Sequence, residues 1–186
     1  MENSESKNKE LEIEIKLKDN VDAYLDKRVL AIKGPKGELK RDISDKNIFM
    51  KIDGKLITMK AKFNKKNKKV IKSYAAHIKN MIKGSLEEHE YLLKICSGHF
   101  PMNVSVSKDS LIVKNFLGEK VPRVLKLKPG AAVKVENDKL IVRSPSKEIA
   151  GQVSADIEQL TRRTRYDLRV FQDGIWIISK DGEELK

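Results

Sequence analysis

The sequence Lys33-Gly34-Pro35-Lys36-Gly37-Glu38 decides the fold class, because Lys114-Asn115-Phe116-Leu117-Gly118-Glu119 echoes it 81 residues later. Gly54-Lys55-Leu56-Ile57 is echoed in turn by Asp138-Lys139-Leu140-Ile141, which lies 84 residues further along the chain. An amphipathic helical stretch follows each of these strand signals. The 186 residues therefore predict two tandem, similar α+β domains of roughly 80 residues each, related by an internal duplication.

In the first domain, apolar and polar residues alternate in short runs separated by turn residues, which is typical of an antiparallel meander. Strands are predicted at residues 11–17, 29–32, 39–43, 48–52 and 56–61. Apolar residues then recur at helical spacing from Lys68 to Lys83, which predicts a helix that Gly84 ends. Residues 1–10 are polar and predict a disordered tail.

The second domain repeats this organisation. Strands are predicted at residues 91–96, 103–106, 111–113, 123–127, 132–135 and 140–142, and an extended segment at 170–178. Ser144 followed by Pro145 predicts the start of a second helix, whose buried face comprises Ile149, Val153, Ile157 and Leu160. Each domain is thus expected to pack a small, mainly antiparallel sheet with one main helix. The predicted bounds are 11–86 and 87–180, followed by a polar C-terminal tail at 181–186.

The net charge of +12, from 39 Lys and Arg against 27 Asp and Glu, indicates an acidic partner such as nucleic acid or an anionic membrane. No apolar run approaches the roughly 18 residues of a membrane span, so no membrane partner is expected. The N-terminus lacks the hydrophobic segment of a secretory signal. The single cysteine, Cys96, forms no internal disulfide and fits a reducing cytoplasm.

Lysine is concentrated between Gly54 and Leu86, where ten lysines occur without one acidic residue. Residues 62–69, the densest part, are predicted to link a strand to the first helix. This segment is interpreted either as a solvated surface loop or as a phosphate-binding one.

Arginine is concentrated at the other end of the chain, where six of the eight arginines lie at or beyond Arg123. Four of them follow the second helix: Arg162, Arg163, Arg165 and Arg169. Because Arg forks onto phosphate and stacks on bases, this cluster beside Tyr166 and Phe171 favours contact with folded RNA. The alternative is that these cations only complement the helix dipole.

No constellation of catalytic residues or metal ligands is visible. His77, His89 and His99 do not have metal-ligand spacing to one another or to Cys96, so no metal, cofactor or catalytic site is predicted. Residues 34–37 resemble phosphate-binding glycine loops, but they join two strands, which favours a tight hairpin turn. Lys36 at its tip remains a candidate phosphate contact.

Seven short motifs in chain order carry a family resemblance. They are residues 33–37 (KGPKG), 78–84 (IKNMIKG), 99–103 (HFPMN), 115–120 (NFLGEK), 151–152 (GQ), 156–159 (DIEQ) and 169–175 (RVFQDGI). Together they resemble ribosomal protein L-six of the large subunit in its archaeal form, whose eukaryotic counterpart is called L-nine. The resemblance covers nearly the whole folded chain.

The resemblance implies a non-enzymatic, cytoplasmic ribosomal protein without cofactors or an obligate homo-oligomer. It implies binding to large-subunit ribosomal RNA near the stalk base and the sarcin–ricin loop, chiefly through the second domain, beside neighbouring ribosomal proteins and docking translation factors. With the charge pattern, it gives these expected RNA-binding residues: Lys72, His77, Asn80, Lys83, His99, Asn103, Lys114, Asn115, Lys120, Arg123, Gln152, Arg162, Arg163, Arg165, Arg169, Phe171 and Gln172.

Two alternatives stay open at this point. A free tandem RNA- or DNA-binding module outside the ribosome would carry the same charge pattern. A small basic nuclease that uses a histidine is the enzyme alternative, and it lacks a paired catalytic group.

Overall fold

The computed structural model describes residues 10–167 and 169–185 of the chain. Its contacts divide the chain into two compact units, Met1–Glu87 and Glu88–Lys186. Each unit contains antiparallel strands and one long helix, and each has its own hydrophobic core, which confirms the predicted α+β class. The predicted tail at 1–10 lies outside the described residues except for Glu10, which begins the first strand.

Within residues 10–87, the first unit contains six strands in two three-stranded antiparallel sheets. They are β1 (Glu10–Lys16), β2 (Asp22–Asp26), β3 (Val29–Gly34), β4 (Gly37–Asp42), β5 (Ile48–Asp53) and β6 (Leu56–Lys62). The sheet orders are β1-β6-β5 and β2-β3-β4. Strand β2 was not predicted, because its acidic ends and the exposed Tyr24 disguise the alternation.

Helix α1 (Lys65–Leu86) covers the core of the first unit with an apolar face that includes Ile71, Ile78 and Ile82. The prediction that Gly84 ends this helix is wrong. Gly84 and Ser85 are buried, and the Ser85 carbonyl accepts a hydrogen bond from the Lys36 backbone N–H at 3.0 Å. This tertiary contact holds the last turn helical past a residue that would otherwise favour an end.

The second unit contains eight strands. They are β7 (His89–Cys96), β8 (Asn103–Ser107), β9 (Ser110–Lys114), β10 (Arg123–Lys126), β11 (Ala132–Glu136), β12 (Lys139–Ser144), β13 (Gly174–Lys180) and β14 (Glu183–Glu184). Among described residues they form sheets in the orders β10-β9-β8 and β11-β12-β7-β13-β14. Because β11-β12-β7 reproduces β5-β6-β1 and β8-β9-β10 reproduces β2-β3-β4, the two units share one topology.

Helix α2 (Lys147–Leu160) buries Ala150, Val153 and Ile157 against the second core. The predicted start at Ser144-Pro145 is wrong, since Ser146 is the N-cap and its hydroxyl accepts from the Ile149 N–H. Ser144 ends β12 instead, and its hydroxyl donates to the Gly130 carbonyl at 2.7 Å.

Only the second unit continues past its helix to further strands, among the residues described. The C-terminal residues 181–186 were predicted to be a polar tail, but β14 pairs with the end of β13. Asp181, in the turn between these strands, places a carboxylate oxygen 2.6 Å from Nδ1 of the buried His89 in β7. This buried polar contact explains why a charged segment packs on the sheet.

Candidate nucleic-acid interface

Arg123 closes the C-terminal end of α2. Its Nη1 donates to the Leu160 carbonyl at 2.6 Å, and its Nε and Nη2 donate to the two carboxylate oxygens of Glu119, both at 2.8 Å. The guanidinium also lies 4.5 Å from the centroid of the buried Phe116 ring. A carbonyl that the helix leaves without a partner is thereby satisfied, and the role of Arg123 in this arrangement is to hold the fold.

Arg163 shares the Glu119 carboxylate with Arg123, and both donate to the same oxygen, Oε1. Its Nη2 donates to Glu119, and its guanidinium lies near the rings of Phe116 and Tyr166. Hydrogen bonding from Arg123 holds the pKa of Glu119 below its usual range, against the effect of burial, and the charges of both arginines add to this. Glu119 thus ties two of the arginines to the folded unit.

The turn after β9 is a single 3₁₀ turn, Phe116–Gly118, in an unusual backbone conformation. Asn115, Leu117 and Gly118 all have positive φ angles, of 58°, 48° and 78°. Leucine rarely adopts this conformation, and the buried Phe116 side chain keeps it in place. The Asn115 side chain donates to the Pro101 carbonyl at 3.0 Å, which joins this turn to the segment before β8.

His99 and Asp173 join that segment to the chain before β13. Nδ1 of His99 lies 2.6 Å from one Asp173 oxygen, and the His99 backbone N–H donates to the other at 3.0 Å. Burial would raise the pKa of Asp173, but these hydrogen bonds, with one from Gly98, outweigh it and lower the pKa. The His99 ring stacks on Phe171 at 4.7 Å, and Tyr166 meets Phe171 edge-on at 4.9 Å.

The remaining arginines of the cluster are exposed. Arg162 makes a 3.5 Å contact with the Gln159 side chain, Arg165 has a φ of 71°, and Arg169 donates its backbone N–H to Asp167. Arg162 and Arg165 line a cleft of about 510 Å³ together with the aromatic side chains, and its full lining is Leu117, Glu158, Gln159, Thr161, Arg162, Arg163, Thr164, Arg165, Tyr166, Phe171, Asp173 and Trp176. This surface presents forked cations next to aromatic faces, the combination that folded RNA accepts.

Other predicted contacts in the second unit lie at strand ends and on α2. Asn103 opens β8 directly opposite Lys114 at the end of β9, and both are exposed, as are Lys120 and Gln172. Gln152, another expected RNA-binding residue, is the sixth helical residue of α2, beyond the N–H groups that the start of a helix leaves without partners. Its side-chain amide donates to Asp156 at 2.7 Å.

The predicted residues of the first unit all lie on α1. Lys72 and Lys83 are exposed, whereas His77 and Asn80 are half-buried. They belong to a separate unit from the arginine cluster, so the structure describes two groups of predicted residues rather than one site.

Comparison with known proteins agrees with this architecture. The sequence profile of the family described as Ribosomal protein L6 matches residues 17–87 and 100–174, one segment in each unit. The chain belongs to the ribosomal protein L6 family. The predicted recognition, the α+β fold and the absence of an enzymatic role in this structural family are thereby confirmed.

Curated relatives of the L6 family cover almost the entire chain. The large ribosomal subunit protein uL6 of Methanococcus vannielii is 39% identical over 173 residues, which are 92% of this chain and 95% of the relative. The protein of the same description from Ignicoccus hospitalis is 40% identical over 169 residues, 88% of this chain and 91% of the relative. The chain is therefore a large-subunit ribosomal protein of archaeal type, and the cytoplasmic ribosome is its location.

Partners expected of an L6-family protein are large-subunit ribosomal RNA and neighbouring ribosomal proteins. No helix in the described part of the chain is long and apolar enough to cross a membrane. Within the same residues, no three His, Cys, Asp or Glu side chains are grouped so as to hold a metal ion.

Sequence reasoning missed Glu119 and Asp173, the two carboxylates that organise this surface. For Glu119 a signal exists, since it precedes Arg123 by four residues. For Asp173 no local signal exists, because its partner His99 lies 74 residues away in the chain.

Proposed function

We propose that this L6-family protein binds large-subunit ribosomal RNA near the stalk base and the sarcin–ricin loop, where it supports the docking site of translation factors. The second unit makes the principal contact, and the protein acts without an obligate homo-oligomer. The observation that carries the proposal is that the exposed Arg162 and Arg165 line one cleft with Tyr166 and Phe171 after the end of α2.

The rigidity of this end of the unit supports the proposal. Arg123 and Arg163 are held by Glu119, and the His99–Asp173 pair holds Phe171 from the other side. Exposed cations therefore project from a surface whose position is fixed before RNA arrives, which lowers the entropy lost on binding. The exposed arginines supply phosphate contacts and the aromatic rings supply stacking platforms.

The division among the arginines decides which variant tests the proposal. Arg163 is unsuitable, because reversing its charge would place a second carboxylate against Glu119 and disturb the fold. Arg162 and Arg165 are exposed, so Arg162→Glu with Arg165→Glu removes phosphate contacts and leaves the contacts of Glu119 with Arg123 and Arg163 intact.

We expect this double variant to lower occupancy of the protein in purified large subunits by roughly tenfold or more, through lost contacts and added repulsion. The matched control is Lys18→Glu with Lys33→Glu, which makes the same change in net charge on exposed residues of the first unit. Fluorescence of Trp176, the single tryptophan, verifies that the second unit is folded. Wild-type occupancy for the arginine variant would refute this assignment of the contact surface.

A further inference from the structure

The lysine-rich segment of the first unit lies on a helix rather than in a loop. Helix α1 begins at Lys65, so most of the lysines that the sequence assigned to a linker project from its first turns. At 3.6 residues per turn, six exposed lysines fall within about 100° of arc and extend along about 27 Å of the helix. We call this row the lysine ladder; it comprises Lys65, Lys68, Lys69, Lys72, Lys79 and Lys83.

The ladder lowers the stability of helix α1 as long as no partner is bound. Lys65 and Lys69, Lys68 and Lys72, and Lys79 and Lys83 are pairs of like charges four residues apart, and each such pair destabilises a helix by about 0.2–0.5 kcal/mol. Helix α1 contains no acidic residue, and its positively polarised N-terminal turn carries lysines instead of acids. Among described residues, no ion pair includes Lys65, Lys69, Lys72 or Lys79.

Helix α2, the counterpart in the repeat, shows that the fold does not require this row. It carries Glu148 in its first turn and Asp156 and Glu158 further along, with Lys147 as its one lysine. Both helices pack an apolar face on their own core, so the ladder faces away from the residues that hold the unit together. The exposed lysines of the ladder are therefore available for a contact outside the unit, since the repeated fold does not need them.

We propose that the lysine ladder is a second RNA-binding surface, which tracks a phosphate backbone without reading sequence. This inference rests on the proposed function in taking ribosomal RNA as the partner, and it adds a surface on the other unit. Lysine acts as a point charge on phosphate, and six lysines without an interleaved aromatic residue supply charge but no stacking. The arginine cluster of the second unit differs in carrying both.

An acidic protein is the other partner that a basic row could take. Lysine is depleted from protein–protein interfaces, whose energy comes from buried aromatic, Met and Arg anchors, and the ladder contains none of these. Between Lys65 and Lys83, the one position on this 100° arc that is not a lysine is the exposed Ala76. The composition of the ladder therefore favours nucleic acid.

The test measures binding of the full-length chain to a 20-base-pair RNA duplex as a function of salt concentration. The variant Lys65→Gln, Lys69→Gln, Lys72→Gln and Lys79→Gln removes four ladder charges and keeps residues with good helix propensity. Each lysine that neutralises a phosphate contributes about 0.7–0.9 to the slope of log K against log salt, so the slope should become shallower by about three. Thermal stability should stay equal or rise, because like-charge repulsion is removed.

The control replaces Lys18, Lys33, Lys40 and Lys51, four exposed lysines elsewhere in the first unit, by Gln. This control changes the net charge by the same amount as the ladder variant, and it should keep most of the slope of log K against log salt. Equal loss of slope in both variants would overturn the ladder as a specific surface. Loss of binding to a poly-glutamate peptide with RNA binding retained would overturn it in favour of an acidic protein.

The outcomes separate this inference from the proposed function. Subunit occupancy of the Arg162 and Arg165 variant tests the second unit, whatever the ladder does. If that variant incorporates normally while the ladder variant loses RNA affinity, the ladder stands and the proposed principal contact falls. The reverse pattern removes the ladder and keeps the proposed function.

Discussion

The turn after β3 and the turn after β9 occupy the same place in the repeat, but they are built differently. In the first unit Pro35 and Lys36 form a two-residue hairpin turn, and Gly34 lies against Ser85 near the end of α1. In the second unit a 3₁₀ turn buries Phe116 and brings Glu119 to Arg123, which caps the end of α2. Both turns stabilise a helix end, one by close backbone contact and the other by charge.

This difference shows that two copies of one fold can present surfaces of different chemistry. At Gly34 the close contact is made with the backbone and the small hydroxyl side chain of Ser85. The charged clamp of the second unit sets arginines and aromatic rings beside the chain that leads into β13. Positive charge follows the same division, with lysine along α1 and arginine after α2.

The substitution that should cost the most stability removes the carboxylate of the charged clamp, by which we mean Glu119 with Arg123 and Arg163. Glu119→Ala leaves the partly buried guanidinium groups of Arg123 and Arg163 without their carboxylate, and we expect the second unit to lose about 2–4 kcal/mol of stability. Urea unfolding followed by Trp176 fluorescence measures this unit alone, because the sole tryptophan lies in β13.

Glu38 is the matched control, since it holds the corresponding position in the repeat. Its pair with Lys40 is 3.1 Å long and well exposed, so Glu38→Ala should change the stability of the first unit, measured by hydrogen exchange of α1 amides, by less than about 0.5 kcal/mol. Equal effects of the two substitutions would contradict the distinction between the turns.

A smaller effect is expected at the close contact of the first unit. A Cβ on Gly34 would lie 2.6 Å from the Ser85 carbonyl oxygen, so Gly34→Ala must separate β3 from the end of α1. We expect a loss of about 1–3 kcal/mol, measured by hydrogen exchange of α1 amides. Gly98→Ala in the second unit, where a Cβ meets nothing within 4 Å, is the control, and hydrogen exchange of β7 and β13 amides should show it to be nearly neutral.

The smallest expected effect is a loss of stability of the second unit at acidic pH. The pKa of Glu119 is lowered on folding, so its stabilisation is complete above the unfolded value near 4.5 and is lost as pH falls through the lower folded pKa. Asp173 behaves alike below an unfolded value of 3.8. The stability of the second unit, monitored by Trp176, should fall in this window, because both carboxylates lose their charged contacts on protonation.

The Glu119→Ala variant tests the source of this acid sensitivity. Its second unit should show a shallower loss of stability with falling pH, since one of the two responsible carboxylates is gone. An unchanged pH dependence would place the sensitivity elsewhere in the unit.

The duplicated topology could be predicted because alternation and helical spacing are local signals. The strand at 56–61 and the buried face of α1 were predicted from these patterns and agree with the structure. The predicted end of α1 was wrong because the contact of Lys36 with Ser85 extends the helix. The predicted start of α2 was wrong because the Ser144 hydroxyl donates to Gly130 and Ser146 caps the helix instead.

The candidate surface could be predicted only as a composition. Clustered arginine and lysine show which segments are basic, but not which cations the fold itself uses. Arg123 and Arg163 are held by Glu119, whereas Arg162 and Arg165 remain exposed, and this distinction depends on the conformation of the 3₁₀ turn. The predicted helix from Lys68 to Lys83 already contains five of the six ladder lysines, and the structure adds Lys65 at its start.

Directed hydroxyl-radical cleavage of ribosomal RNA tests the central claim most directly. An iron chelate is tethered through Arg165→Cys, or at the control position through Lys33→Cys, in a chain whose single native cysteine is removed by Cys96→Ser. Within assembled large subunits, the tether at Arg165 should cleave RNA at the sarcin–ricin loop or the stalk base, and the tether at Lys33 should cleave there weakly. Cleavage of these regions from Lys33 but not from Arg165 would contradict the assignment of the principal RNA contact to the second unit.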